Sequence, residues 1–271
     1  MRIARPTIIG VVNITEDSFS DGGRYLAPEA AIAHAHQLAA DGADIVELGA
    51  ASSNPDAKEV PAAEEIRRLG PVVDALAASR VAISIDTFKP EVLRWAAARS
   101  VAYLNDITGF GDAAIYPELA RASCRLIVMH AIQTGARAVR APADPTKVLE
   151  AIFDFFALRI AALTEAGITR ERMILDPGMG YFLGSNPEPS LAVLRNIGKL
   201  RERFGLPVLI SVSRKSFLGA VTGRAIAQRG PATLAAELYA TFAGADYVRT
   251  HDPGALNDAL RVIAAIDAAG R

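Results

Sequence analysis

Asn13, Asp86, Asn105, Asp176, Lys215, Arg249 and His251 stand out because each lies at or just past the end of a short apolar run. Two chemistries divide them. Asp86, Asn105 and Asp176 are two carboxylates and an amide, which suit a flat heterocycle presenting several N–H donors and a carbonyl. Arg214, Lys215, Arg249 and His251 are cationic or can be, and they follow the last two runs, in Ser213-Arg214-Lys215 and Arg249-Thr250-His251. A polar heterocycle joined to phosphate is the ligand such a set suits. Singly, each residue has a plainer role. Asp86 could cap the next helix. Asn105-Asp106 and Asp176-Pro177-Gly178 could make turns. Lys215 could be solvated, His130 could be a core histidine, and Glu47 could pair with a neighbouring cation. His34 and His36 lie in a helical stretch and carry no role. The joint placement favours a site, and the sequence holds no Ser–His or Cys–His arrangement suited to a covalent nucleophile.

The elements that must position these groups repeat from end to end. Eight runs, Thr7–Val12, Asp44–Leu48, Val81–Ile85, Val101–Leu104, Arg125–Met129, Met173–Leu175, Pro207–Val212 and Asp246–Val248, are apolar at nearly every position, as strands buried on both faces are. Ala-rich helical stretches separate them, among them Glu29–Ala40, Thr146–Ala166 and Pro189–Phe204. Eight strands alternating with eight helices predict a single α/β domain, a (β/α)8 TIM barrel over residues 1–271. The open doubly wound sheet is the alternative, but the first run lacks its Gly-rich fingerprint. In a barrel the polar residues fall at the C-terminal strand ends, with phosphate usually held after the last two strands. Three long connections, Ile14–Tyr25, Ala131–Pro145 and Pro177–Glu188, open on that same face.

Composition limits the setting. A net charge of −1 over 271 residues argues against a general nucleic-acid or membrane-surface binder. Cys124 is the only cysteine, so an intrachain disulfide and a cysteine-based metal site are both excluded. No run approaches the roughly 18 apolar residues of a membrane span, and the N-terminal run lacks the features of a signal peptide. A cytoplasmic protein acting on small molecules is expected.

The run Asn13-Ile14-Thr15-Glu16-Asp17-Ser18-Phe19-Ser20-Asp21-Gly22-Gly23 resembles the first-loop signature of the dihydropteroate synthases. Ser84-Ile85-Asp86-Thr87, Leu104-Asn105-Asp106, Leu175-Asp176-Pro177-Gly178-Met179-Gly180, Ser213-Arg214-Lys215 and Arg249-Thr250-His251 resemble further motifs of that family, in order and over essentially the whole chain. The resemblance implies a pterin-binding barrel that condenses (7,8-dihydropterin-6-yl)methyl diphosphate with 4-aminobenzoate, giving 7,8-dihydropteroate and diphosphate by an SN1-like route in folate biosynthesis. It assigns catalysis to Asp86, Asp176, Lys215, Arg249 and His251. Asp86, Asn105, Ile107, Ile127, Met129, Asp176, Lys215 and Arg249 would hold the pterin. Asn13, Ser53, Arg249 and His251 would hold diphosphate, with Mg2+ as cofactor met by Asn13. Ser52, Pro55, Tyr181, Phe182, Lys215 and Ser216 would hold aminobenzoate. A homodimer is implied as well, and exposed apolar residues on the last helix would support it.

The chain departs from the family in two places. The second loop, usually Ser-Thr/Ser-Arg-Pro-Gly, reads Ser52-Ser53-Asn54-Pro55-Asp56, so an expected arginine is missing and Lys58 is the candidate to replace it. After Asp-Pro-Gly-x-Gly the family continues Phe-Gly-Lys, whereas this chain has Tyr181-Phe182-Leu183. These features resemble the mobile sulfonamide-resistant (Sul-type) branch, with Phe182 the candidate obstacle to the drug. Two rival readings differ in chemistry. A pterin-dependent methyltransferase would have no diphosphate to hold, and a non-catalytic pterin-binding scaffold would turn nothing over.

Overall fold

Strands that are apolar on both faces need cover on both. In a closed barrel the helices cover one face and the strands themselves the other. The computed structural model describes residues 4–15, 25–52, 57–99, 101–132 and 140–269. Eight parallel strands, β1 (Thr7–Asn13), β2 (Ile45–Gly49), β3 (Ile83–Asp86), β4 (Tyr103–Asp106), β5 (Arg125–Met129), β6 (Met173–Asp176), β7 (Leu209–Ile210) and β8 (Tyr247–Thr250), form one sheet. β1 pairs with both β2 and β8, and a bridge between Leu175 and Val208 joins β6 to the approach of β7. The ring is therefore nearly closed, a (β/α)8 barrel, and the open-sheet alternative falls away.

Ten α-helices lie among the described residues: α1 (Pro28–Ala40), α2 (Ala62–Ala78), α3 (Pro90–Ala97), α4 (Tyr116–Arg121), α5 (Val148–Glu165), α6 (Glu188–Arg195), α7 (Ile197–Phe204), α8 (Ser216–Thr222), α9 (Gly230–Phe242) and α10 (Pro253–Ala269). The single helix expected over Pro189–Phe204 is two. Asn196 breaks it, with φ −117° and its amide donating to the carbonyl of Ala192. α7 then stops at Gly205, whose φ of +63° is left-handed and whose N–H returns to Arg201. None of the described helices is long and apolar enough to cross a membrane.

Alternation along the strands explains the core. Ile8, Leu48, Ile85, Leu104, Val128, Leu175 and Val248 belong to the large cluster that meets the helices. Their neighbours Ile9, Ile45, Ile127, Ile174, Leu209 and Tyr247 pack together in a separate inner layer, with Tyr103 against them. Two residues further along each strand, the inward positions turn largely polar. Ile45 is followed by Glu47, Tyr103 by Asn105, Ile174 by Asp176, Leu209 by Ser211 and Tyr247 by Arg249. The apolar layer is thus a floor, and the polar layer is the mouth. Several strands run one or two residues longer than the apolar runs because Asn13, Asp86, Asp106, Asp176 and Thr250 remain in the ladder.

Candidate active site

A cavity of about 240 Å³ opens above that floor. Asn13, Ser52, Asp86, Asn105, Ile107, Met129, Asp176, Tyr181, Phe182, Lys215, Ser216, Arg249 and His251 all line it, so residues singled out from distant parts of the sequence share one wall. Ile127 does not. It is fully buried in the apolar floor, two residues below Met129 on β5, and its role as a pterin wall is corrected accordingly. Ser53, Pro55, Asn54, Asp56 and most of the first-loop signature lie outside the described residues. Lys58 lines a smaller neighbouring cavity with Glu59, Glu64 and Arg68, which shares Thr15 and Ser52 with the larger one.

Charges organise the centre. Glu47, completely buried on β2, accepts from Nε of Arg249 through Oε1. Its Oε2 accepts from Ser84 Oγ at 2.9 Å and from Asn105 Nδ2 at 3.1 Å. Nη2 of Arg249 reaches Asp86 Oδ2 at 3.0 Å. Asp86 therefore does not cap α3, whose N-cap is Lys89. Burial and then the neighbouring Glu47 push Asp86 up to about 7, against the pull of Arg249. Burial lowers the Arg249 guanidinium, but Glu47 and Asp86 outweigh it and hold the group above its usual range.

Asp176 serves as turn device and cavity wall at once. Its Oδ1 accepts the Gly178 N–H at 2.8 Å, and burial raises its carboxyl to about 6. A side chain at Gly178, where φ is +76°, would place its Cβ 2.3 Å from the carbonyl oxygen of His130. Asp106 takes the purely structural part of its pair, accepting from Thr108 N, Thr108 Oγ1 and Phe110 N. His130 is buried, bonded through Nδ1 to Pro177 O at 3.1 Å and held edge-on to Phe155. Burial pulls it down to about 4, so it is a neutral core histidine.

The cationic half comes from the β7 and β8 ends. Burial, then repulsion from Arg249, lowers Lys215 to about 8. Its Nζ stands 4.9 Å from the centre of the Phe182 ring. Phe182 packs with Ile107 and Met129, and Phe88, Ala131 and Tyr181 lie against them. His251 Nδ1 lies 2.8 Å from Ser213 Oγ, which also accepts the His251 N–H. Arg229 also lines the cavity, and no motif in the sequence singles it out. Its Nη1 donates to the carbonyls of Arg214 and Lys215, holding a loop in which Arg214 has φ +59°. Phe88 and Thr15 were missed likewise.

A metal ion has modest provision here. No group of three His, Cys, Asp or Glu side chains able to hold one exists among the described residues. Asn13 and the buried Thr15 hydroxyl, which lacks a hydrogen-bond partner among the described residues, bring two oxygens to the cavity wall. That set suits Mg2+, which is usually held by few protein oxygens together with substrate phosphates and water.

Comparison with known proteins agrees with this arrangement. Residues 9–251 match the family described as pterin binding enzyme. The chain is 57% identical to the dihydropteroate synthase type-2 of Escherichia coli, over 97% of both chains. It is similar in structure to the Xanthomonas albilineans dihydropteroate synthase with 4-aminobenzoic acid, with a TM-score of 0.87 and 38% identity over 98% of this chain and 94% of that one. A structure of the Xanthomonas albilineans enzyme in complex with 7,8-dihydropteroate gives a TM-score of 0.82 and 33% identity over 99% and 95%.

Proposed function

The chain belongs to the dihydropteroate synthases, a family of pterin-binding transferases, and from that premise we propose that its cavity joins (7,8-dihydropterin-6-yl)methyl diphosphate to 4-aminobenzoate. The observation that carries the reading is the division of one cavity between the acceptors Asp86, Asn105 and Asp176, the last two buried, and the cations Lys215 and Arg249, with His251 beside them. Similarity to structures holding 4-aminobenzoic acid and 7,8-dihydropteroate supports the choice of substrates.

The mechanism follows from charge. Asp176 accepts hydrogen bonds from the pterin's parallel N–H donors, and Asn105 and Asp86 hold its other edge. The C–O bond to diphosphate breaks, and the methylene carbon becomes cationic and delocalised into the dihydropterin ring. Asp86 and Asp176 stabilise that cation, while Arg249 and His251 stabilise the departing anion. The aminobenzoate amine then forms the C–N bond and loses its proton to solvent. Asn13 and Thr15 would hold Mg2+, which when bound supplies further neutralisation of the diphosphate oxygens.

Phe182 would make the site sulfonamide-insensitive by touching the compact carboxylate end of aminobenzoate and colliding with the longer drug. A homodimer is supported by apolar residues left exposed on α10, Val262 and Ile266, and on α9, Tyr239 and Phe242. A cytoplasmic setting is supported by the single, buried cysteine.

Calorimetry on Arg249→Ala and His251→Ala tests the division of the cavity. Both variants lose affinity for the pterin diphosphate. His251→Ala keeps affinity for a pterin without phosphate, whereas Arg249→Ala weakens that too, because Arg249 holds Glu47 and Asp86. Equal losses for the two ligands in His251→Ala would contradict it.

A further inference from the structure

Glu47 is buried beneath the cavity, does not line it, and has no place in the mechanism above. Three donors converge on it: Arg249 Nε on one oxygen, Ser84 Oγ and Asn105 Nδ2 on the other. A carboxylate oxygen only accepts, so Asn105 can face Glu47 only with its NH2 group. The opposite atom, Asn105 Oδ1, is buried and has no hydrogen-bond partner among the described residues, although the side chain lines the cavity. A buried acceptor without a partner is costly unless a ligand donor meets it.

We infer that Glu47 is a positioning residue that determines which atom of Asn105 meets the heterocycle. By holding Nδ2, it fixes Oδ1 as an acceptor and selects ligands with an N–H at that point. The inference rests on the pterin reading above.

The two side chains can exchange chemistry without changing shape. In Glu47→Gln, the new amide oxygen keeps Arg249 Nε and the new NH2 replaces the oxygen that faced Asn105. Two NH2 groups then oppose each other. Asn105 must turn over and present a donor to the ligand's donor. In Asn105→Asp, two carboxylates oppose each other. In Glu47→Gln/Asn105→Asp, the glutamine NH2 donates to the aspartate and to Ser84, whose hydroxyl rotates to accept. An oxygen again faces the cavity, and the net charge equals that of the wild type.

The test is calorimetric titration of the full-length protein with (7,8-dihydropterin-6-yl)methyl diphosphate. Each single variant loses affinity by about 10- to 100-fold, the cost of one charged or mismatched hydrogen bond. The double variant returns to within about threefold of wild type. Such rescue is not expected if Glu47 only fills space or supplies charge at its own position. A double variant that binds no better than the weaker single variant overturns the inference. So does a double variant that fails to fold when both singles fold. If Glu47→Gln alone does not fold, the comparison of Asn105→Asp with the double variant decides. A wild-type protein that does not bind the pterin diphosphate would refute the pterin reading instead.

Discussion

Asp176→Asn separates a binding role from a turn role, because the two predict opposite signs for stability. The Gly178 N–H donates to Asp176 Oδ1 at 2.8 Å, so only an oxygen can face it. The new amide therefore keeps its oxygen on Gly178 and turns its NH2 to the remaining side, facing the pterin donors. Losing a charge-assisted hydrogen bond costs about 1.5–3 kcal/mol, or roughly 10- to 100-fold in pterin affinity. The fold responds the other way. A buried carboxyl raised from 3.8 to about 6 costs the folded state roughly 3 kcal/mol when it is charged. This penalty is complete above pH 6 and disappears as pH falls towards 4, where the group is protonated in folded and unfolded chains alike. At pH 8 the neutral variant is relieved of most of it, so it unfolds at a higher temperature than the wild type; the figure is an upper bound. The assay pairs titration calorimetry with thermal unfolding at pH 8 and pH 5, and the gain in stability shrinks at pH 5. A variant that is destabilised at pH 8 and binds pterin diphosphate as tightly as the wild type would leave Asp176 a turn residue only.

Three other outcomes follow from the site. The pH profile of kcat/KM is bell-shaped: activity falls on the acid side as Asp86 and Asp176 take up protons at about 7 and about 6, and on the alkaline side as Lys215 loses its proton at about 8. A flat profile from pH 6 to 9 would contradict the assignment. Phe182→Gly makes the enzyme sulfonamide-sensitive and leaves the aminobenzoate KM unchanged or raised. It also destabilises the fold by about 3–5 kcal/mol, because a ring packed on Ile107 and Met129 is removed. Inhibition constants for drug and substrate decide, and a wild type already strongly inhibited would end the resistance reading. Excess chelator abolishes turnover, and Asn13→Ala raises the Mg2+ concentration needed for half activity. Full turnover in chelator would remove the metal.

The barrel was legible because its strands are apolar at almost every position and its helices are long enough to show their period. α4 and α8 escaped because six or seven residues are too few to do so. The strand-end residues were legible for the same reason as the strands. Ile127 was the failure, and the alternation contained the answer. It shares its inward face with Met129 but stands two residues earlier, level with the floor residue Ile174. Glu47 was read only as a partner for some cation; which cation depends on β8 lying beside β1, which brings Arg249 to Glu47 from 202 residues away. Arg229, Phe88 and Thr15 sit on connections without a period, where only the folded backbone shows what a side chain reaches. The departures at Asn54 and Asp56 were visible in sequence, and the described residues do not reach them.

On the proposed function, the two halves of the cavity serve one condensation. Incubating the purified wild type with (7,8-dihydropterin-6-yl)methyl diphosphate, 4-aminobenzoate and Mg2+ tests it most directly, with product followed by mass spectrometry and diphosphate measured in parallel. 7,8-Dihydropteroate and diphosphate are expected in equal amounts, and no 7,8-dihydropteroate when either substrate is omitted. Tight binding of the pterin diphosphate with no 7,8-dihydropteroate formed would contradict it and leave a pterin-binding protein without this activity.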